Sequence, residues 1–297
     1  MPVAPRVVLV HRHTERDEIV AEQGTWGQAE FVQKRRGLSL SSVKKRHDAL
    51  TSALQTVSAG IPREWRRGTV ERADLPRFLF EPEDVVVVVG QDGLVANTAK
   101  YLDGQPVIGV DPAPGSNMGV LVRHSPDDFE PLLARVGAGR ARFEPRTMVA
   151  ATTDDGESLL ALNEVYLGHS GHQSARYLLT TPEGAEERHS SSGLLVGSGT
   201  GATGWLLSIA RQRARPVPLP GPTDPELGWF VREAWPSPTT GADLTEGLLP
   251  PDRELTVRIE GESLVVFGDG IEADRLLLTW GQTVRIRAAD RHLRLVV

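Results

Sequence analysis

The 297-residue sequence contains no cysteine. This absence excludes disulfide bonds, zinc sites built from thiolates and a cysteine nucleophile. The formal net charge of −6 means that the chain lacks the positive excess of general nucleic-acid binders. No apolar run approaches the roughly 20 residues of a membrane-spanning helix, and residues 1–6 lack the features of a signal peptide. We therefore expect a cytoplasmic protein whose partners include neither nucleic acid nor a membrane.

The pattern of apolar residues changes near residue 140. Before it, short apolar runs at 7–10, 85–89 and 106–110 alternate with segments of helical spacing, which predicts a mostly parallel sheet with helices on its faces. After it, short strands are separated by turn residues, which indicates mainly antiparallel β structure. We predict an α/β N-terminal domain over residues 1–140 and a β-rich C-terminal domain over residues 141–297.

One buried strand is followed by a glycine turn. The five valines Val85–Val89 are typical of a strand that is covered on both faces. Gly90, Gln91, Asp92 and Gly93 follow, and then a helix is expected from Leu94. Such a turn presents backbone N–H groups to a phosphate and places Asp92 at the carboxyl end of a central strand. Taken alone, it is more often an ordinary turn in which Asp92 caps the helix.

Two adjacent polar residues, Asn163 and Glu164, interrupt a strand predicted over residues 158–167 that is otherwise apolar. They cannot both face the core, because successive side chains of a strand point to opposite faces. They are either a surface strand end or part of a binding site.

A second glycine-rich loop lies between a short strand and a helix predicted over residues 203–213. Alternating glycines and hydroxyl residues occupy it, namely Ser198, Gly199, Thr200, Gly201 and Thr203, with four glycines within eight residues. A plain loop seldom needs so many glycines. We therefore expect it to bind a phosphate or a ribose.

Taken in order, these motifs resemble those of the NAD kinase family: a valine-rich strand with a Gly-Gly-Asp-Gly-type turn, a strand ending in Asn-Pro-Gly (here Gly109-Val110-Asp111-Pro112), Asn-Glu, and a Thr-Gly-Ser-type loop before a helix. The resemblance spans nearly the whole chain. Ser192-Gly193-Leu194, Trp205, Arg46-His47 and Phe230–Glu233 are similar to the mitochondrial-type branch.

The resemblance implies a two-domain NAD kinase-like fold with its site in the cleft between a nucleotide-binding domain, 1–140, and a dinucleotide-binding domain, 141–297. It implies transfer of the γ-phosphate of ATP to the 2′-hydroxyl of the adenosine ribose of NAD, giving NADP. Mg²⁺ would come with ATP, no residue is assigned as a metal ligand, and the protein would be a homo-oligomer, a dimer or a tetramer. Asp92 matches the catalytic base. The matching nucleotide-binding residues are Gly90, Gln91, Gly93, Asn163, Glu164, Ser198, Gly199, Thr200, Gly201 and Thr203.

The chain departs from the family pattern at four positions. Gln91 replaces the second glycine, Leu94 a threonine, Asp111 an asparagine and Ala202 a hydroxyl residue. Gln91 and Leu94 leave open a catalytically silent NAD-binding or regulatory protein on the same scaffold, and Asp111 leaves open a kinase of another nucleoside or nucleotide. The phosphate donor, ATP or polyphosphate, and the preference for NAD or NADH stay open as well.

Overall fold

The computed structural model describes residues 5–115 and 119–297. The chain divides into two compact units, Met1–Phe143 with Arg294–Val297, and Glu144–Leu293. The sequence pattern predicts a boundary at residue 140 and assigns the whole C-terminus to the second domain. The last four residues belong instead to the first unit, because Arg294 and Leu295 pair in parallel with a strand of that unit. The ligand-binding roles of the two domains stay predictions.

The first unit alternates strands and helices along the chain. Its elements are β1 (Arg6–His11), α1 (Glu15–Gln23), α2 (Trp26–Arg35), α3 (Ser41–Ala59), β2 (Arg66–Glu71), β3 (Val85–Val89), α4 (Asp92–Ala99), β4 (Pro106–Val110) and α5 (Phe129–Gly137). Short 3₁₀ turns cover Arg72–Arg77 and Pro126–Asp128.

A parallel sheet of order β2-β1-β3-β4 forms the centre of this unit. All five valines of β3 are buried, as their β-branched side chains predict for a strand covered on both faces. Phe129 of α5 and Val57 of α3 pack against one face of the sheet in a single apolar cluster. The parallel sheet predicted for the N-terminal part is therefore confirmed, and the carboxyl ends of β3 and β4 lie side by side.

Helices α1 and α2 were not predicted. Each begins at a threonine that caps it: the Thr14 side chain accepts the N–H of Asp17, and Thr25 accepts that of Gln28. Helix α1 buries no residue and α2 buries only Ala29. Because neither helix has a buried apolar stripe, the period that reveals a helix in a sequence is missing from this segment.

The second unit is built from strands. They are β5 (Phe143–Thr153), β6 (Ser158–Ala161), β7 (Glu164–His169), β8 (Ala175–Thr180), β9 (Glu186–Ser191), β10 (Gly193–Gly197), β11 (Leu227–Arg232), β12 (Glu246–Leu249), β13 (Glu254–Ile259), β14 (Leu264–Gly268), β15 (Ile271–Leu278) and β16 (Thr283–Val296), with a 3₁₀ turn at Gly201–Thr203 and one helix, α6 (Trp205–Ala210).

These strands form two sheets. The first has the order β16-β13-β8-β9, with β5 pairing β16 and β6; the second has the order β12-β11-β10-β7-β14-β15. Buried side chains from both sheets make one apolar cluster, for example Val149, Val165, Val196 and Val257. The predicted β-rich C-terminal part is thus confirmed. Strand β16 runs without interruption from Thr283 to Val296 near the C-terminus.

The prediction of a single strand over residues 158–167 is wrong, because this segment forms two strands. Strand β6 ends at Ala161 and pairs with β5, whereas β7 begins at Glu164 and pairs with β10 and β14 of the other sheet. Leu162 and Asn163 therefore carry the chain from one sheet to the other. Within the described ranges, no helix is long and apolar enough to cross a membrane.

Candidate functional site

The turn after β3 leads directly into α4, which begins at Asp92. Gln91 is the residue before the helix, with φ −106° and ψ 164°, an extended backbone that any residue adopts. Its side chain is exposed and makes no capping hydrogen bond. Leu94 is only 6% exposed, so its side chain belongs to the core. Neither departure from the family turn therefore distorts the backbone at this point.

The Asp92 carboxylate binds three consecutive backbone N–H groups from the segment that follows β4. Oδ2 accepts from Val120 at 2.7 Å, and Oδ1 accepts from Leu121 at 2.9 Å and Val122 at 3.0 Å. An ionised carboxylate has about four acceptor positions. Asp92 is half-buried, and among the described residues only Val120 donates to its Oδ2, so this oxygen can also accept a hydrogen bond from a ligand hydroxyl.

Asp111, at the carboxyl end of β4, is 8% exposed. Its backbone N–H donates to the carbonyl of His124 at 2.8 Å, and its Oδ1 accepts the N–H of Ala113 at 2.9 Å. Asp92 and Asp111 thus bring two carboxylates to the ends of the adjacent strands β3 and β4. Residues 116–118 lie outside the described part of the chain.

In the second unit, the Asn163 turn is held by two side chains from distant parts of the sequence. The Asp269 carboxylate accepts the N–H groups of Leu162 and Asn163 at 2.8 and 2.7 Å. The Ser198 hydroxyl donates to the carbonyl of Leu162 at 2.5 Å, and the Ser198 N–H donates to the carbonyl of Asn163 at 2.8 Å. The structure therefore brings Asn163, Glu164 and the Ser198 loop together, as expected for motifs that are predicted to bind the same ligand.

The Ser198 loop uses its polar atoms internally. Ser198 and Thr200 are buried, and the Ser198 hydroxyl accepts the N–H of Thr200 at 3.1 Å. A Cβ on Gly201 would lie 2.2 Å from the carbonyl oxygen of Asn163, so only glycine allows this close approach. The exposed Thr203 donates to the carbonyl of Thr200 at 2.9 Å. Helix α6 begins at Trp205, two residues after the predicted start.

The Glu164 carboxyl has a strongly shifted pKa. Burial is the larger cause and the negative charge of Asp269 the smaller one, and together they raise the pKa of Glu164 to about 8. The acid is therefore mostly protonated at pH 7, where an exposed glutamate is ionised. A protonated carboxyl both donates and accepts a hydrogen bond, which suits recognition of a hydroxyl group.

Two residues that contact the Asn163 turn and the Ser198 loop, Arg146 and Asp269, are not among the predicted site residues. Arg146 is fully buried, pairs with Glu144 at 2.7 Å and donates to the Thr200 hydroxyl at 3.4 Å. Asp269 lies in the turn between β14 and β15. The available signal for Arg146 is a charged residue two positions before the apolar run Met148–Ala151 of the same strand. The position of Asp269 relative to the Asn163 turn depends on the tertiary fold.

The predicted site residues thus fall into two groups. Gly90, Gln91, Asp92 and Gly93 belong to the first unit, and the Asn163 and Ser198 groups belong to the second. Within residues 5–115 and 119–297, no group of three or more His, Cys, Asp or Glu side chains is arranged to hold a metal ion. The assignment of these residues to a nucleotide stays a prediction.

Comparison with known proteins gives a consistent result. The chain is 30% identical over 223 residues to the NAD kinase of Heliobacterium modesticaldum, covering 72% of this chain and 73% of the relative. It is 25% identical over 252 residues to the NAD kinase of Geobacter metallireducens, covering 81% of each. The crystal structure of yeast NADH kinase complexed with NADH matches 99% of this chain and 84% of that chain, with a TM-score of 0.62 and 14% identity. No family model matches the sequence.

Proposed function

The chain belongs to the NAD kinase family, and we propose that it transfers the γ-phosphate of ATP to the 2′-hydroxyl of the adenosine ribose of NAD. The products are NADP and ADP. The observation that carries this proposal is Asp92 at the first residue of α4, at the carboxyl end of β3, with its carboxylate held by three backbone N–H groups. This is the position at which open α/β sheets bind their ligands.

In the proposed reaction, Asp92 accepts the proton of the 2′-hydroxyl as the oxygen attacks the γ-phosphorus. The bond from this phosphorus to the β,γ-bridging oxygen breaks, and ADP leaves with the bonding electrons. A ribose hydroxyl is a weak nucleophile, so a positioned carboxylate lowers the barrier. The three backbone bonds fix the carboxylate in one orientation, which is the main requirement for phosphoryl transfer enzymes.

Mg²⁺ would neutralise charge on the triphosphate when bound with ATP. It takes oxygen ligands, usually phosphate and water with one or two carboxylates. Asp111 is the carboxylate that fits this role, because Asp92 already accepts three N–H groups. The backbone of Gly90–Gly93 would contact the phosphates.

For the acceptor, we assign the ribose hydroxyls of NAD to Asn163 and Glu164. The support is their position on a turn whose backbone is fixed from both sides, and the raised pKa of Glu164, which leaves a proton to donate at pH 7. The Ser198 loop would line the same pocket. Its buried hydroxyls shape the loop, so its contact with the ligand would come through the backbone and through exposed Thr203.

The test is an assay of the purified protein with ATP, Mg²⁺ and NAD that measures NADP. Parallel reactions replace ATP by polyphosphate, and NAD by NADH or free nucleosides. Formation of NADP that depends on ATP supports the proposal. Tight NAD binding in calorimetry without NADP from any donor would instead identify a silent NAD-binding protein, and phosphorylation of a nucleoside in preference to NAD would identify a different kinase.

We also propose that the chain forms a homo-oligomer, a dimer or a tetramer. The second unit has strands at its sheet edges, β9, β12 and β15, and exposed sheet edges tend to be covered by association. Leu277 on β15 and Trp280 after it are 65% and 73% exposed. The mass measured by light scattering at micromolar concentration tests this, and a monomer mass would contradict it.

A further inference from the structure

We infer that Asp269 is a positioning residue that sets the geometry of Asn163 and Glu164 for NAD, an inference that rests on the proposed function for the identity of its ligand. Asp269 lies in the turn between β14 and β15, more than a hundred positions from the pair. The inference concerns its carboxylate, which contacts the backbone of the turn and not the ligand.

The contact is made by three consecutive N–H groups. Oδ2 accepts from Leu162 at 2.8 Å, and Oδ1 accepts from Asn163 at 2.7 Å and from Glu164 at 3.4 Å. The backbone N–H of Asp269 donates in return to the carbonyl of Glu164 at 3.1 Å. These bonds join the start of β7 to the β14–β15 turn at the point where the chain changes sheets.

The backbone of Asp269 is in the left-handed region, with φ 53°, which is sparsely populated by residues other than glycine, asparagine and aspartate. The next residue, Gly270, also has a positive φ of 68°. This turn therefore directs a carboxylate at a specific backbone segment. An aspartate serves there because it tolerates the conformation and supplies two acceptor oxygens.

Ser198 completes the arrangement from the other side, since its hydroxyl and N–H bind the carbonyls of Leu162 and Asn163. Asp269 and Ser198 thus hold the backbone of the turn from two sides. Within the described part of the chain, neither the side-chain amide of Asn163 nor the carboxyl of Glu164 makes a hydrogen bond to the protein. Their polar ends are available to a ligand, while their backbone is held by the hydrogen bonds to Asp269 and Ser198.

Asp269 also acts on Glu164 through its charge. Among the described residues, Asp269 is the charged group whose influence on Glu164 is resolved, and it raises the pKa of Glu164 in addition to the effect of burial. The strands β10 and β14 that flank β7 contribute no ionisable side chain. Removal of the Asp269 charge should therefore lower the pKa of Glu164, an effect that a purely structural contact would not have.

The test replaces Asp269 by asparagine, which keeps the shape and tolerates a positive φ but turns an NH₂ group or a neutral oxygen towards backbone donors. We expect Asp269→Asn to weaken NAD binding at pH 7 by about tenfold to a hundredfold, as measured by calorimetry. We also expect faster hydrogen exchange at the N–H groups of residues 162–164. NAD binding should weaken as the pH rises through the raised pKa of Glu164, and the midpoint of this loss should lie at lower pH in Asp269→Asn than in the wild type.

Asp252→Asn is the matched control, because Asp252 is exposed in the same unit and should change none of these three quantities. If Asp269→Asn does not fold, NMR of the wild-type protein replaces it. The N–H signals of Leu162 and Asn163 should then move together with the acid titration of the Asp269 carboxyl. N–H chemical shifts of Leu162 and Asn163 that stay constant during this titration would overturn the inference.

The outcomes separate this inference from the proposed function. Wild-type protein that binds NAD but forms no NADP would contradict the kinase activity and leave the binding test of Asp269 valid. Wild-type protein that does not bind NAD would contradict the proposed ligand, and the inference about Asp269 as a positioning residue for NAD would fail with it, even if hydrogen exchange at residues 162–164 still depends on Asp269. Unchanged NAD affinity and pH midpoint in Asp269→Asn would refute the positioning role alone.

Discussion

Oδ1 of Asp92 accepts the backbone N–H of Leu121 at 2.9 Å, across 29 positions of the chain. This bond and its two neighbours attach the segment after β4 to the first residue of α4. The carboxylate proposed as the base is therefore also a structural acceptor. A substitution of Asp92 tests both properties, and the two can be separated by measuring turnover and stability together.

Asp92→Asn should lower turnover by about 10²–10⁴, the range typical for loss of a general base. It should also lower the free energy of unfolding by about 1–3 kcal/mol, because an amide cannot accept three N–H groups as a carboxylate does. Steady-state NADP formation and urea unfolding measure the two effects.

Asp128→Asn is the control for this prediction. Asp128 also accepts a backbone N–H, that of Ser125 at 2.9 Å, in the same unit. This variant should keep the turnover of the wild type. Turnover close to the wild-type value in Asp92→Asn would exclude Asp92 as the base.

Gly93 is the second residue of α4 and is exposed. Among the described residues, no atom lies within 4 Å of a Cβ built on Gly93, and its φ is not positive. The fold itself therefore tolerates alanine here, and only a ligand placed close to the backbone would exclude it. Gly93→Ala should raise the KM for ATP by about tenfold or more, while the free energy of unfolding rises by up to about 1 kcal/mol.

Gly27→Ala is a closely matched control, because Gly27 is also the exposed second residue of a helix, α2, with no described atom within 4 Å of its Cβ. Its effect on stability should be similar and its effect on the KM for ATP absent. An unchanged KM in Gly93→Ala would show that no phosphate approaches this turn.

Gln91 occupies the position of a family glycine with an ordinary extended backbone and an exposed side chain. Because no positive φ is required, we expect Gln91→Gly to change the KM for ATP only modestly, by less than about tenfold. Both forms should make NADP. Calorimetry with ATP and with NAD checks the binding steps. If the wild type binds NAD without making NADP and only Gln91→Gly makes NADP, the natural protein is a silent NAD-binding protein.

Glu164 makes stability depend on pH in a direction opposite to that of most carboxylates. Its folded-state pKa of about 8 lies above the ordinary value of 4.5, so the folded state binds more protons between these pH values. The contribution of Glu164 to stability is therefore fully present below about pH 4.5 and is lost as the pH rises through 8, by at most about 1.4 kcal/mol for each pH unit.

Urea unfolding of the ligand-free protein at several pH values from 5 to 9 tests this. The difference in unfolding free energy between wild type and Glu164→Gln should fall as the pH rises. Glu157→Gln, at an exposed position of the same unit, should show no such trend. A difference that is independent of pH would mean that Glu164 is ionised in the folded state at neutral pH.

The sequence by itself determined the class of fold and most of the residues of the candidate site. Five consecutive valines identify β3 because β-branched side chains suit a strand buried on both faces. The sequence also reveals the glycine turn, the Asn-Glu pair and the glycine-rich loop, because each of these motifs is made of residues that are consecutive or nearly so. Helices α1 and α2 show no apolar period in the sequence, since they bury almost no apolar side chain.

Only the tertiary structure decided which distant groups hold these motifs. Asp269 contacts the Asn163 turn because β14 and β7, which are far apart in sequence, are neighbours in a sheet. Arg146 of β5 contacts Thr200 in the loop after β10, and no local pattern encodes either contact. The same holds for the last four residues, which join the first unit through parallel pairing with β4. The raised pKa of Glu164 is likewise a tertiary property, because burial and the charge of Asp269 exist only in the folded chain.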